Sequence, residues 1–168
     1  AYSNAPLYVD FRSEWGICRS LQRDALARME GEMERIASKE ENPLRQYWLI
    51  CESIAVYAKG EPFAFASMLE TIPWDEKSRQ ASPLLEEIYQ IGERSIGHIQ
   101  RMIERGTAQG LFREEIAGQP VGMLYWGMLS GAVKLAEQKR GYIRDSAGME
   151  EGDFLHFAFD TMLRALLK

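Results

Sequence analysis

The sequence predicts an all-α protein, a bundle of about six helices joined by short connectors. Apolar residues recur three and four positions apart along most of the 168 residues, which is the spacing of one helix face. Runs that alternate apolar and polar residues, as strands do, are scarce. Asn-Pro and Ser-Pro pairs precede apolar stretches, and such pairs favour helix starts because the first residue caps the helix and proline suits its first turn.

The first two predicted helices are long. The first starts at Ser13, a residue type that caps helices well, and ends near Lys39. The second starts at the Asn42–Pro43 pair and ends at Gly60, a residue type common just past a helix C-terminus. Because its apolar residues lie nearly all around the helix, we expect this second helix to be central and packed on all sides.

The middle of the chain is predicted to hold a short helix and a long amphipathic one. The short helix follows Pro62 and ends before Pro73, and residues 74–81 are predicted as a loop. The amphipathic helix starts at the Ser82–Pro83 pair, and its apolar residues occupy an arc of roughly 140°. Glycines at 106 and 110 end it.

Two more helices complete the predicted bundle. One starts at Pro120, runs to about Gln138 and is apolar on two faces. The last starts at Asp153 and runs to the end of the chain. Residues 139–152 between them are predicted as a loop.

Composition and charge exclude several classes of protein. The chain has 20 Lys and Arg against 25 Asp and Glu, a net charge of -5, so its body lacks the clustered positive charge that binds a phosphate backbone. Its longest apolar stretch, 121–133, is shorter than the ~20 residues of a membrane helix, and the N-terminus lacks a signal-peptide pattern. Two cysteines are too few for a disulfide framework or a zinc site. We therefore expect a cytoplasmic domain that needs no membrane and no cofactor.

No pattern in the sequence points to an enzyme. His98 and His156 lack the Glu-x-x-His spacing of di-iron bundles, and there is no phosphate-binding glycine loop, G-x-S-x-G or H-E-x-x-H. A helical enzyme that uses Cys51 or His98 is a remote alternative, because a lone cysteine is far more often a buried core residue. We predict a protein without catalytic or metal-binding residues.

Three stretches resemble the TetR family of bacterial transcriptional regulators. Residues 7–15 (LYVDFRSEW) resemble the LYxHFxSKE signature that ends the family's DNA-binding region. Residues 60–69 (GEPFAFASML) are similar to its short central helix, and residues 103–115 (IERGTAQGLFREE) to its glycine-bounded turn before Leu-Phe-Arg. The three stand in the family's order and spacing. The resemblance implies that residues 13–168 form the family's ligand-binding and dimerisation domain.

The resemblance also implies that the chain opens at the end of a DNA-binding helix-turn-helix. Residues 1–12 would be its remnant, with the rest of the module removed or absent. Asp10 and Glu14 stand where the family usually has His and Lys, and carboxylates there would be repelled by phosphates. Tyr8 matches a family tyrosine that can touch a phosphate; the alternative is a packing tyrosine. Duplex DNA is therefore expected as a partner only if the missing module is present.

The function that the resemblance implies is effector binding in a TetR-like repressor. A small apolar ligand would control DNA binding allosterically by favouring one arrangement of the helix from Ser13. The alternative is a stand-alone α-helical small-molecule-binding protein with no role at DNA. The upstream coding sequence discriminates between the two.

A largely apolar ligand pocket is expected between the central helix and the helices that start near Pro62, Ser82 and Pro120. Tyr89 and His98 flank the apolar arc and are the expected hydrogen-bonding residues, while Gly92 leaves room within it. The alternative for each apolar member is plain core packing. Because no buried charge stands out, the expected ligand is neutral and hydrophobic. The predicted pocket residues are Trp48, Cys51, Phe65, Met68, Ile88, Tyr89, Gly92, Ile96, His98 and Tyr125.

A homodimer is expected through the last two helices. One face of the helix from Pro120 is enough to cover the core of a monomer, so its second apolar face is available to a partner. The alternative is that this second face is core under the loop over residues 139–152. The predicted interface residues are Gly122, Trp126, Leu129, Val133, Phe159, Met162 and Leu166.

Overall fold

The computed structural model describes residues 14–72, 75–116 and 118–168, and this part of the chain is mostly helical, without strands. It contains eight α-helices: α1 (Glu14–Lys39), α2 (Pro43–Gly60), α3 (Pro62–Met68), α4 (Glu76–Ala81), α5 (Pro83–Ala108), α6 (Val121–Gln138), α7 (Arg140–Ala147) and α8 (Glu151–Leu166). The predicted all-α class is confirmed. The predicted DNA-binding remnant, with Tyr8, lies outside the described residues.

Helices α2 and α5 begin where the predicted caps stand, whereas Ser13, the predicted cap of α1, lies outside the described residues. The side-chain oxygen of Asn42 accepts hydrogen bonds from the backbone N–H groups of Leu44 and Arg45, at 2.9 and 3.1 Å. The hydroxyl of Ser82 accepts from the N–H of Leu85 at 3.5 Å. These side chains bind N–H groups that have no partner within the first turn of a helix, so the starts of α2 and α5 are fixed by local chemistry.

Both predicted loops contain a short helix, and that part of the prediction is wrong. Within residues 74–81, Asp75 caps α4 by accepting a 2.9 Å hydrogen bond from the N–H of Ser78. Within residues 139–152, α7 ends at Gly148, whose φ of +66° is a conformation that favours glycine. The described side chains of α4 are all at least partly exposed, and α7 buries one. Neither helix therefore has the repeating apolar positions from which the other helices were predicted.

The central position predicted for α2 is confirmed, but the helix is not packed on all sides, because Leu49, Glu52 and Val56 are exposed. It packs against α1, α3, α5, α6 and α8. On one side of α2, the two longest helices, α1 and α5, lie against each other, and α3 rests on α1. On another side, α6 packs against α8. The core follows α2, where Tyr47, Cys51 and Ile54 are fully buried.

A glycine-dependent turn connects α5 to the rest of the bundle. The chain reverses at Gly110, with φ of +71°, and Phe112 packs on Gly106, where a Cβ atom would lie 2.2 Å from the ring. The N–H of Arg113 then donates a 2.9 Å hydrogen bond to the carbonyl of Leu166. The turn thus fastens the C-terminal end of α8 to that of α5.

Candidate ligand grooves and subunit interface

Half of the predicted pocket residues belong to the packed core. They come from α2, α3, α5 and α6, the four helices predicted to wall the pocket, and they belong to one contiguous hydrophobic cluster. Their side chains are almost entirely hidden from solvent. These core members are Cys51, Phe65, Met68, Ile88 and Tyr125.

Two phenols and a thiol are buried side by side in this core. Tyr125 donates a 2.6 Å hydrogen bond to the carbonyl of Met162, and Tyr47 donates one of 2.8 Å to the carbonyl of Phe159. Burial raises the pKa of the Cys51 thiol to about 12 and that of Tyr125 to about 12, and it raises the pKa of Tyr47 as well. All three groups are therefore neutral near pH 7. A protonated thiol is a poor nucleophile, so Cys51 is unsuited to catalysis there.

Three other predicted pocket residues line a groove at the surface. Tyr89, Gly92 and Ile96, with Glu93 and Met123, form a groove of about 240 Å³ between α5 and α6. A Cβ atom added to Gly92 would meet nothing within 4 Å. The space for a ligand that was expected beside Gly92 therefore exists, but it is open to solvent and not enclosed in the core.

The remaining two, Trp48 and His98, have other partners. Trp48 stacks on His156 of α8, with ring centroids 5.1 Å apart. His98 Nε2 lies 3.3 Å from a carboxylate oxygen of Glu30, and its Nδ1 lies 3.0 Å from a guanidinium nitrogen of Arg101. Since a guanidinium only donates, this arrangement assigns the ring proton to Nε2, where it faces Glu30. His98 thus links α1 to α5, and the structure does not bring the ten residues together around one cavity.

Most of the predicted interface residues point into the subunit. Gly122 donates a 2.9 Å hydrogen bond from its N–H to the side chain of Gln100, and a Cβ there would lie 2.8 Å from the carbonyl oxygen of Ile96. Gly122 therefore permits close packing of α6 on α5, within one subunit. Trp126 and Met162 are half-buried. The other four are buried in the core and cannot reach a partner in this arrangement: Leu129, Val133, Phe159 and Leu166.

The exposed apolar face of α6 is a different one. Leu124 and Leu135 are 59% and 45% exposed, and Gly127 and Gly131 lie between them on the same stripe of the helix. A Cβ added to either glycine would meet nothing within 4 Å. On the adjacent α8, Phe157 is also exposed. Since α6 and α8 pack against each other, we group these five exposed residues under one name, the α6–α8 face.

A groove between α1 and α2 was not anticipated from the sequence. It has a volume of about 460 Å³, and the buried side chains of Met29 and Ile36 form its floor. Leu49, Val56 and Tyr57 of α2 line its other side. One feature of the sequence could have indicated this groove. Leu49, Val56 and Tyr57 lie outside the dominant apolar face of α2, so they are not needed for the core and can line a groove.

The described residues contain neither a cluster of metal ligands nor a membrane-spanning helix. Within these ranges no three His, Cys, Asp or Glu side chains are grouped as metal ligands would be. No helix among the eight combines the length and apolarity needed to span a bilayer.

This fold is shared with solved structures, of which two are compared with the chain. One is a protein of unknown function from a Rhodococcus species, with a TM-score of 0.71, 15% identity and coverage of 99% of this chain and 86% of that one. The other is PfmR, a TetR-family transcriptional regulator from Thermus thermophilus, with a TM-score of 0.69, 21% identity and coverage of 99% and 84%. No protein-family model matches the sequence, and no curated protein matches it. The chain therefore has a TetR-like fold.

Proposed function

We propose that this chain is the effector-binding and dimerisation region of a TetR-like transcriptional regulator. The observation that carries the proposal is the α6–α8 face, an exposed apolar surface on a fold shared with a TetR-family regulator over 99% of the chain. Contiguous exposed apolar patches usually mark partner surfaces. A closed dimer would place the same face of two subunits against each other.

The α6–α8 face suits helix-to-helix contact between two subunits. Leu124 and Leu135 are separated by eleven residues, or about 16 Å along the helix. Gly127 and Gly131 between them let a second backbone approach closely, and the two leucines would be buried at either end. Phe157 extends the face onto α8. The dimer predicted through these helices is retained, with these residues replacing the buried ones.

Effector binding is proposed at the junction of α2, α3, α5 and α6, as the sequence predicts. A neutral hydrophobic ligand would contact Tyr89, Gly92 and Ile96 in the α5–α6 groove and would have to displace Cys51, Phe65, Met68, Ile88 or Tyr125 to reach the rest of the predicted pocket. A ligand can shift a conformational equilibrium only by binding one arrangement better than another. The elements that this ligand would move must therefore be coupled to α1.

Two polar links provide that coupling. The buried side chain of Gln22 on α1 donates hydrogen bonds of 2.7 Å to the carbonyl of Ser67 in α3 and 3.3 Å to that of Glu70 beyond it. Glu30, further along α1, faces His98 of α5. Displacement of α3 or α5 would therefore be transmitted to α1, the helix that leads back to residues 1–12 and Tyr8.

The test compares the 168-residue chain with the full product of its reading frame, in a selection of duplex DNA sequences at moderate salt. We expect the full product to select one sequence with submicromolar affinity and the 168-residue chain, with its net charge of -5, to select none. A compound that raises the melting temperature of the chain should then change the affinity of the full product for that duplex. If the full product selects no duplex, the stand-alone ligand-binding alternative is correct.

A further inference from the structure

The α1–α2 groove combines an apolar interior with space for a small molecule. Its volume of about 460 Å³ lies within the ~300–1,000 Å³ of typical ligand sites. Met29 and Ile36 form a buried floor, whereas Leu49 and Val56 on its α2 side are 39% and 71% exposed. Val56 is thus mostly uncovered although it borders an apolar concavity, and a bound apolar group would remove it from water.

The charges at the rim of this groove are paired, with one exception. Arg35 hydrogen-bonds both carboxylate oxygens of Glu32, and Arg28 lies 3.5 Å from Glu61. The carboxylate of Glu52 has no hydrogen bond and no ion pair with the described residues, and it is exposed. Both guanidinium groups, of Arg28 and Arg35, already have carboxylate partners. Among its described residues, the groove therefore contains no unpaired cation that could bind an anion.

The free carboxylate stands between the exposed apolar side chains. Glu52 is three residues after Leu49 and four before Val56, so the three share one face of α2. Tyr57 also lines this groove, and its phenol is neutral near pH 7, because burial raises its pKa above the ordinary 10.0 although the charge of nearby Arg28 acts in the opposite direction. The face of a neutral aromatic ring attracts a cation within about 6 Å.

We propose that the α1–α2 groove binds an organic cation with a large apolar body. Met29, Ile36, Leu49 and Val56 would contact the apolar body, while Glu52 supplies the opposite charge. This site is separate from the pocket proposed between α2, α3, α5 and α6, and it does not depend on dimerisation or DNA binding. Bound there, the cation would lie between α1 and the central helix.

The α5–α6 groove is less suited to the same ligand. Its volume of about 240 Å³ is half as large. It also contains a carboxylate, Glu93, and a tyrosine, Tyr89, but the guanidinium of Arg79 already lies 4.0 Å from the centroid of that tyrosine ring. The experiment therefore includes a variant that fills this second groove.

The test uses tetraphenylphosphonium and tetraphenylborate, two ions of nearly the same size and shape with opposite charge. Binding of each to the purified chain is measured by isothermal titration calorimetry at moderate salt. We expect the phosphonium to bind several-fold more tightly than the borate. Glu52→Gln keeps the shape of the side chain and removes its charge, and it should weaken phosphonium binding on the order of threefold, as for an exposed charge pair.

Three further variants assign the site. Glu41→Gln removes an exposed carboxylate elsewhere and should leave phosphonium binding unchanged. Val56→Arg puts a cation into the groove at a mostly exposed position and should abolish binding without unfolding the protein. Gly92→Trp fills the α5–α6 groove and should have no effect. The proposal is overturned if neither ion binds, if the borate binds as tightly as the phosphonium, if Glu41→Gln acts like Glu52→Gln, or if binding survives Val56→Arg.

Discussion

The hydroxyl of Tyr125 donates a 2.6 Å hydrogen bond to the backbone carbonyl of Met162, and this bond ties α6 to α8 inside the subunit. Tyr47 makes the equivalent bond from α2 to the carbonyl of Phe159, one turn earlier in α8. The two rings meet edge to face, with centroids 6.3 Å apart. Together they fix α8 relative to α2 and α6. They thereby also fix the geometry of the α6–α8 face.

Removing the hydroxyl of Tyr125 should destabilise the subunit modestly. We expect Tyr125→Phe to lower the free energy of unfolding by about 1 kcal/mol, the usual net contribution of one buried hydrogen bond, since the ring and its packing remain. Urea unfolding followed by circular dichroism measures this. Tyr142→Phe, at an exposed position on α7, is the matched control and should change nothing. Equal stability of Tyr125→Phe and the parent would show that the bond contributes nothing measurable.

A charge on the α6–α8 face should dissociate the proposed dimer. Leu124→Glu would bury two carboxylates in an apolar interface, so we expect it to raise the dimer dissociation constant by more than about tenfold. Light scattering at tens of micromolar protein measures the mass of the parent and the variant. Leu21→Glu, at a similarly exposed leucine of α1, is the control and should stay dimeric. A monomeric parent, or a Leu124→Glu variant that remains dimeric, would contradict this interface.

Stability should fall above pH 9 because of Cys51. Burial raises the pKa of this thiol from its ordinary 9.0 to about 12. Between these values the unfolded chain releases a proton that the folded chain retains, so the free energy of unfolding decreases as pH rises, by up to about 1.4 kcal/mol per pH unit. Below pH 9 both states hold the proton, and this contribution is constant. Tyr125, with its pKa raised from 10.0 to about 12, and Tyr47, whose pKa burial also raises, add to the decrease above pH 10.

The measurement is urea unfolding at several pH values from 8 to about 11, the range in which the linkage acts. Cys51→Ala should be less stable throughout, because it leaves a small cavity, but its stability should depend less steeply on pH. Cys18→Ala, which removes an exposed thiol, should keep the slope of the parent. A slope that Cys51→Ala leaves unchanged would assign the pH dependence to other groups.

A ligand in the proposed effector pocket should raise the melting temperature. Displacement of Tyr125 should also change the fluorescence of Trp48, because the ring of Tyr47 contacts both residues, at 6.3 and 6.0 Å between centroids. A compound at a hundred times its dissociation constant stabilises the folded state by about 2.7 kcal/mol. A panel of neutral hydrophobic compounds is screened by both measurements. Trp48→Phe is the fluorescence control, because the chain has three other tryptophans. The pocket proposal fails if no compound on the panel produces either change.

The starts of α2 and α5 were predictable because each has a local cap followed by a regular apolar period. Asn42 and Ser82 bind N–H groups two or three residues away, whatever the rest of the chain does. The central position of α2 was predictable too, since its apolar residues lie nearly all around the helix, although Leu49 and Val56 are left exposed. The two short helices, α4 and α7, were missed because their sequences lack the repeating apolar positions from which the longer helices were predicted.

The orientation of α6 was decided by tertiary packing alone. Its sequence provides two apolar faces, and helical periodicity treats Leu129 and Val133 as equivalent to Leu124 and Leu135. Which pair is buried depends on where α2, α5 and α8 lie, and the close contact at Gly122 with α5 turns Leu129 and Val133 inward. Helical periodicity is enough to give α6 two apolar faces. Which of the two is buried depends on the neighbours of the helix, and these come from distant parts of the chain, so periodicity cannot decide it.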